Sequence, residues 1–418
     1  MLNDTIIRAP QVKGIFSENC VPSRPEEETP CEPIRGYGRY VNPIRFPEAV
    51  ERGRICAKEV LENKIADFEK DALYCEKTGE DHPDRMVHVS TFKIIDSVIY
   101  MTYYANTGTD AEDPTKQEAR LAFCPENAPE DKTIVTILKV GDVLDGLTVD
   151  RVYDTIMLYK GGGVLYLLWT ASLDGLYYRL WCTYDIRTRT LGSVHPNRFQ
   201  VGNTVNDFST SGIKAALADN GIPFKSLWSD IGIMQKLTSR EEDGETWYYT
   251  GAYSGNFNCI IKSRDLVTWQ YVSTPDFPNY SLWENAVYVI GDKCFYCVRQ
   301  DECMQCFLTC FDLKTGKWAQ PVLIRDAQSR SDFFLYEGTL YLVHAPVDRN
   351  GFGIVRIDTE DLANSKPVAV AQMESSCFYP YVELYGEYAY ISYTVARKHI
   401  RLSRFSLKDC LGSARSDR

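Results

Sequence analysis

The chain has 418 residues, of which 44% are hydrophobic and 12% aromatic, ample for a folded core. Its formal charge of −11 argues against a nucleic-acid partner, because phosphate backbones need concentrated Lys and Arg. No stretch approaches the roughly eighteen apolar residues of a spanning helix, and residues 1–5 lack the features of a secretory signal, so a cytoplasmic protein without membrane contact is expected.

In chain order, residues 1–85 differ from the rest. Pro22, Pro25, Pro30 and Pro33 with Glu26-Glu27-Glu28 read as an extended lead-in. Residues 46–70 carry helical periodicity, with Ala49, Ile55, Val60, Leu61 and Ile65 on one side. That helix either packs on the body of the protein or forms a homo-oligomer contact, and the sequence leaves both open.

From Met86 onward one phrase recurs six times: a polar residue opens an apolar strand, a short turn follows, and a second aromatic-rich strand returns. The openers are His88, Asp154, Asp230, Glu284, Asp332 and Tyr379. They lie roughly 45 to 75 residues apart, the spacing of propeller repeats with loop insertions. Turn signals such as Gly161-Gly162-Gly163, Glu242-Asp243-Gly244 and Tyr385-Gly386 separate the paired strands. Asp185, Asp312 and Asp358 close third strands as turn formers. These features predict an all-β chain: a six-bladed β-propeller over 86–410, an N-terminal helical extension over 1–85 and a flexible tail over 411–418. The longest insertion, 191–227, reads equally as a lid or pocket wall and as a surface excursion.

A propeller brings the first strand of each blade to its axis, so the six openers become one candidate site. Four are carboxylates, one an imidazole and one a phenol, the groups of acid–base and nucleophilic chemistry. For glycoside cleavage two carboxyl groups must flank the bond, and crowding raises the pKa of at least one. Asp230 with Glu284 is the first catalytic pair, and Asp154 the next candidate. Trp228 and Trp283 precede two of these carboxylates and offer faces for stacking on sugar rings. Arg299, Asp332, His344, Tyr379 and Arg397 complete the candidate substrate contacts with His88.

Neither a cofactor nor a metal is expected. Fourteen cysteines are scattered, several of them inside strands, as reduced core thiols. Cys303-Met304-Gln305-Cys306 has no second pair at zinc spacing.

Ser263-Arg264-Asp265-Leu266-Val267-Thr268-Trp269 resembles the Asp-box of sialidase-like propellers, with Val267 replacing the usual Gly, and Lys314-Thr315-Gly316-Lys317-Trp318 keeps only the turn-then-Trp ending. The resemblance covers 86–408 as a repeat pattern and implies carbohydrate-active chemistry, with glycosidases and some polysaccharide lyases in the superfamily. Sialidases proper hold the sugar carboxylate with three arginines and use a Tyr nucleophile assisted by Glu, plus an Asp acid/base. Here the first arginine's place is held by His88-Val89-Ser90, while Arg299 ends a second strand and Arg349 and Arg397 follow theirs. That departure points away from a typical sialidase. The expected function is a glycoside hydrolase, exo-acting on small oligosaccharides or glycosides. The alternatives are a uronate-directed lyase using His88, Arg299, His344 and Tyr379, or a non-catalytic glycan-binding propeller.

Overall fold

Alternating aromatic and β-branched residues between turn formers produce six sheets in a computed structural model, which describes residues 6–17, 74–77, 83–223, 231–254, 257–275, 282–300, 305–324, 327–346, 349–372 and 376–411. The chain divides into two units, residues 1–31 with 78–274, and residues 32–77 with 275–418. Each holds three sheets. The helix expected over 46–70 lies outside the described residues, as do 412–418 of the expected tail.

In the first unit, sheet one is the antiparallel meander Met86–Ile95, Val98–Asn106, Gln117–Pro125 and Thr133–Lys139. Its first hairpin turns at Asp96-Ser97, both in left-handed conformation, the two-residue turn that matches strand twist. Sheet two is built on Leu147–Tyr159, Val164–Leu173 and Leu176–Asp185, with Thr190–Leu191 at its outer side and Ile7–Arg8 added in parallel. Leu121, Phe123, Leu167 and Trp169 are buried between these two sheets. Each such side chain contributes about 1.5–3 kcal/mol when taken from water. Sheet three comprises Ile231–Ile233, Glu245–Ser254, Phe257–Ser263 and Thr268–Ser273, with Thr238–Glu242 paired to its second strand.

The described part of the insertion extends sheet three. Its hairpin, Arg198–Val201 with Thr204–Asp207, pairs in parallel with Thr268–Ser273, at the edge of sheet three opposite Ile231–Ile233. The helix Thr210–Asp219 follows, capped by Ser209, whose hydroxyl accepts the Gly212 N–H. An open strand edge is thereby covered.

In the second unit, sheet four runs Leu282–Ile290, Lys293–Gln300, Gln305–Asp312 and Lys317–Trp318, and sheet five Gln328–Tyr336, Thr339–Ala345, Gly351–Arg356 and Lys366–Gln372. Sheet six takes three strands from the end of the chain, Cys377–Tyr385, Tyr388–Val395 and His399–Ser406. Its fourth, Tyr74–Lys77, comes from far earlier in sequence. Phe295, Leu308, Phe333 and Leu342 form the core between sheets four and five; Phe334, Phe352, Ile391 and Tyr393 belong to that between five and six.

Cys124, Cys182, Cys259, Cys294, Cys297, Cys306, Cys310 and Cys377 are buried free thiols. The Asp-box-like segment folds as a tight turn between the third and fourth strands of sheet three. Asp265 Oδ1 accepts the Val267 and Thr268 N–H groups at 2.8 Å each and the Ser263 hydroxyl at 2.8 Å. Trp269 then enters the core with no exposed surface. Asp312 and Asp358 accept pairs of backbone N–H groups in the same way. Asp265→Ala is expected to cost about 1–2 kcal/mol in urea denaturation, the cost of losing a side-chain acceptor that caps backbone donors.

Candidate active site

Successive side chains of a strand point to opposite faces, and a bulge breaks that alternation. The first strands of five sheets each carry at least one. Pairing registers shift between His88 and Thr91, Tyr153 and Ile156, Leu282 and Asn285, Gln328 and Asp332, and Phe378 and Tyr381. Four bulges hold a non-glycine residue at positive φ: Val89 (54°), Asp154 (52°), Ser329 (79°) and Tyr379 (55°). Such backbone costs about 1–3 kcal/mol per residue and concentrates at functional sites. Pro380 fits its bulge because no ladder N–H is required there.

In the second unit the bulges bring three side chains together. Glu284, 6% exposed, accepts the Tyr379 hydroxyl on Oε1 at 2.6 Å and Arg299 Nη1 on Oε2 at 2.8 Å. Arg330 Nε stands 3.7 Å from Oε1, and its guanidinium lies 4.9 Å from the centre of the Tyr379 ring. Arg299 Nη1 is also 3.4 Å from the Tyr379 oxygen. Two further guanidiniums, Arg349 and Arg397, stack on the neighbouring Phe378 ring at 4.2 and 4.7 Å. Arg349, like Arg397, is held at positive φ, and its carbonyl accepts the Cys377 N–H at 2.6 Å.

Burial pushes the Glu284 carboxyl upward, but the Arg299 and Arg330 guanidiniums and the Tyr379 hydroxyl outweigh it and hold the pKa down to about 2. Glu284 is therefore ionised at any ordinary pH, a base or acceptor rather than the protonated acid that crowded carboxylates would supply. Burial, followed by repulsion from Arg299 and Arg397, lowers the Arg349 pKa from its ordinary value. Two guanidiniums thus contact one carboxylate and one phenol, and two more stand beside them on the Phe378 ring. The Glu284 carboxylate acts on Arg349 only at a distance, with no ion pair between them among the described residues. The arrangement attracts an anion and presents a phenol with a base already attached.

No protein-family model matches the chain, and no curated protein matches it in sequence. Solved structures do. A sialidase from Trypanosoma rangeli in complex with sialic acid superposes over 81% of this chain with a TM-score of 0.52 at 13% identity. The Hadza microbial sialidase matches the same share with a TM-score of 0.58 at 11% identity, and a leech intramolecular trans-sialidase with 0.52 at 10%. The fold is sialidase-like. The matched region spans 57% of the Trypanosoma rangeli chain, 68% of the Hadza chain and 70% of the leech chain.

Within this sialidase-like frame, Glu284, Arg299 and Tyr379 meet, and Arg397 joins them through Phe378. Sequence reasoning missed Arg330. The opener expected in that repeat, Asp332, stands two residues beyond Arg330 and is the first paired residue after the bulge. Asp332 is instead fully buried and accepts the Val382 N–H at 2.7 Å, tying sheet five to sheet six. Arg330 occupies the bulge of sheet five as Glu284 and Tyr379 occupy theirs, and no pattern in the residue string marks a bulge. His344 is fully buried late in Thr339–Ala345, paired with Gly353. Tyr381 is buried against Glu383.

In the first unit, Asp154 is 3% exposed and forms an ion pair with Arg179, Oδ2 to Nη1, at 3.1 Å. Arg179 is itself fully buried and also donates to the Asp154, Thr170 and Ile233 oxygens. A Cβ at Gly232 would stand 2.8 Å from the Asp154 carboxylate and 2.2 Å from the Tyr253 ring, so only glycine fits there. This network binds strands of sheets two and three. His88 is fully buried, edge-on to Tyr104 at 5.7 Å. Asp230 and Trp228 lie outside the described residues, as does the Trp283 side chain.

Two stability measurements follow. Arg179→Met, which strands the buried Asp154 carboxylate, is expected to cost about 3–5 kcal/mol. Glu284→Gln should cost a similar amount at neutral pH, since it leaves Arg299 and Arg330 facing a neutral amide. Because the folded Glu284 pKa lies below its ordinary 4.5, its contribution is complete above pH 4.5 and fades as pH falls toward 2. The gap between wild type and Glu284→Gln in denaturant midpoint should therefore close across that window. A constant gap would refute the ionised assignment.

Proposed function

We propose that this protein is a retaining glycoside hydrolase for sugars that bear a carboxylate, with Tyr379 as nucleophile and Glu284 as its base. The observation that carries the proposal is the hydrogen bond from Tyr379 to the buried, ionised Glu284 beside Arg299. Arg299, Arg349 and Arg397 are the proposed carboxylate clamp, with Arg397 in the role that the missing first arginine leaves open. The sialidase-like fold and the sialic acid held by the Trypanosoma rangeli protein support the same class of sugar.

A neutral phenol suits such a substrate. A carboxylate nucleophile approaching an anomeric carbon beside the sugar's own carboxylate would meet like charge, whereas Tyr379 approaches uncharged and passes its proton to Glu284 as the bond forms. In the first step the Tyr379 oxygen bonds to the anomeric carbon, the glycosidic C–O bond breaks, and the leaving oxygen takes a proton from an acid or solvent. Water then attacks the glycosyl-tyrosine and loses a proton that balances the one taken by the leaving group, while Glu284 returns its proton to Tyr379. Exo-action is part of the proposal, since one clamp reads one carboxylate.

The test is a panel of aryl glycosides and oligosaccharides of sialic, uronic and neutral sugars, followed for released sugar and for absorbance of an unsaturated product. Hydrolysis of carboxylated glycosides is expected. Tyr379→Phe should lower kcat about 100-fold or more, and Arg349→Ala should raise KM about 10- to 100-fold on those substrates alone. Cleavage of neutral sugars only would overturn the clamp. An unsaturated product would make the protein a lyase with Tyr379 as base, and tight binding without release would make it a glycan-binding module.

A further inference from the structure

Arg330 occupies a place no sequence pattern marked. It is 2% exposed, in the bulge at Ser329-Arg330-Ser331 that opens sheet five. The same bulge holds Tyr379 by its backbone, since the Ser329 hydroxyl accepts the Tyr379 N–H at 3.3 Å. Its guanidinium faces both members of the reactive pair. Nε is 3.7 Å from Glu284 Oε1, the oxygen that accepts the Tyr379 hydroxyl, and the group covers the Tyr379 ring.

We propose that Arg330 is a positioning residue that couples Tyr379 to Glu284, fixing the plane of the phenol and stabilising negative charge on whichever partner carries it. The proposal rests on the reading of Tyr379 as nucleophile. When the phenolic proton moves to Oε1, negative charge moves from the carboxylate to the phenol oxygen. A cation facing only Glu284 would lose its partner at that moment. Arg330 faces both sites, and Arg299 reaches the other carboxylate oxygen and the phenol. The field is thus in place before charge shifts, and no group must reorganise. A planar guanidinium also covers a ring face in a way an ammonium cannot, so Lys is a poor replacement. The groups facing Tyr379 are Glu284 and Arg299 from sheet four and Arg330 from sheet five, with Arg349 acting on it from the loop of sheet five, while Arg397 of sheet six stands over the neighbouring Phe378 ring.

The experiment compares wild type, Arg330→Lys, Arg330→Gln and Tyr379→Phe, each checked for folding by circular dichroism. Tyr379 is titrated by phenolate absorbance in wild type and in each Arg330 variant, with the Tyr379→Phe derivative of that protein subtracted, and kinetics are measured on the carboxylated glycosides. Arg330→Gln should move the Tyr379 titration to higher pH and lower kcat at least about tenfold with little change in KM, and Arg330→Lys should recover only part. If Arg330→Gln folds, keeps the wild-type titration and keeps kcat while Tyr379→Phe is inactive, Arg330 is a packing residue and the proposal falls alone. If Tyr379→Phe keeps full activity, the nucleophile reading falls and takes this one with it. If Arg330→Gln does not fold, Arg330→Lys decides: wild-type titration and kcat in that variant overturn the proposal.

Discussion

Glu284 remains ionised inside the protein because two guanidiniums and a hydroxyl surround it, and those partners come from three sheets. Arg299 belongs to its own sheet, Arg330 to the next and Tyr379 to the one after. An isolated carboxylate at that depth would be neutral or would destabilise the fold by several kcal/mol. The second unit can therefore satisfy Glu284 only when sheets four, five and six are packed in one register. Two backbone ties reinforce that register: the Arg349 carbonyl to the Cys377 N–H and the Ser329 hydroxyl to the Tyr379 N–H. The same interaction holds three sheets together and presents a phenol already bonded to its base.

Bulges make this possible. Regular strands would point Tyr379 and Tyr381 to the same face, yet one joins the Glu284 group and the other packs against Glu383. The left-handed residues that build the bulges carry strain, which the apolar cores flanking sheet five offset. The first unit uses the same device for another end. Its bulge at Asp154 directs a carboxylate at Arg179, and the pair anchors backbone oxygens of neighbouring strands. Equivalent positions in a repeat need share geometry, not chemistry.

Charge is distributed just as unevenly. The chain carries −11 overall, while the Glu284 group sets four arginines against one carboxylate. Burial and then repulsion from Arg299 and Arg397 lower the Arg349 pKa, and an incoming anion would relieve the repulsion. Overall composition speaks to solubility and to large polyanions, and says nothing of a local field of this kind.

The sequence by itself determined the sheets. Apolar alternation and turn residues act over a few neighbours, so the six paired-strand phrases, the hairpin at Gly161-Gly162-Gly163 and the turn-forming Asp185, Asp312 and Asp358 were all legible. Glu284, Arg299 and Tyr379 were legible as polar residues interrupting apolar strands. Their partnership was not, because Glu284 and Tyr379 lie far apart in the chain and no local pattern joins them. Arg330 escaped because a bulge, invisible in a residue string, moves the inward position two residues ahead of Asp332. The length of the 191–227 insertion is visible in the sequence, but its parallel pairing with Thr268–Ser273 is not. Tertiary structure alone decided which polar residues meet and which ion state burial imposes, since both depend on distances between strands that local sequence does not encode.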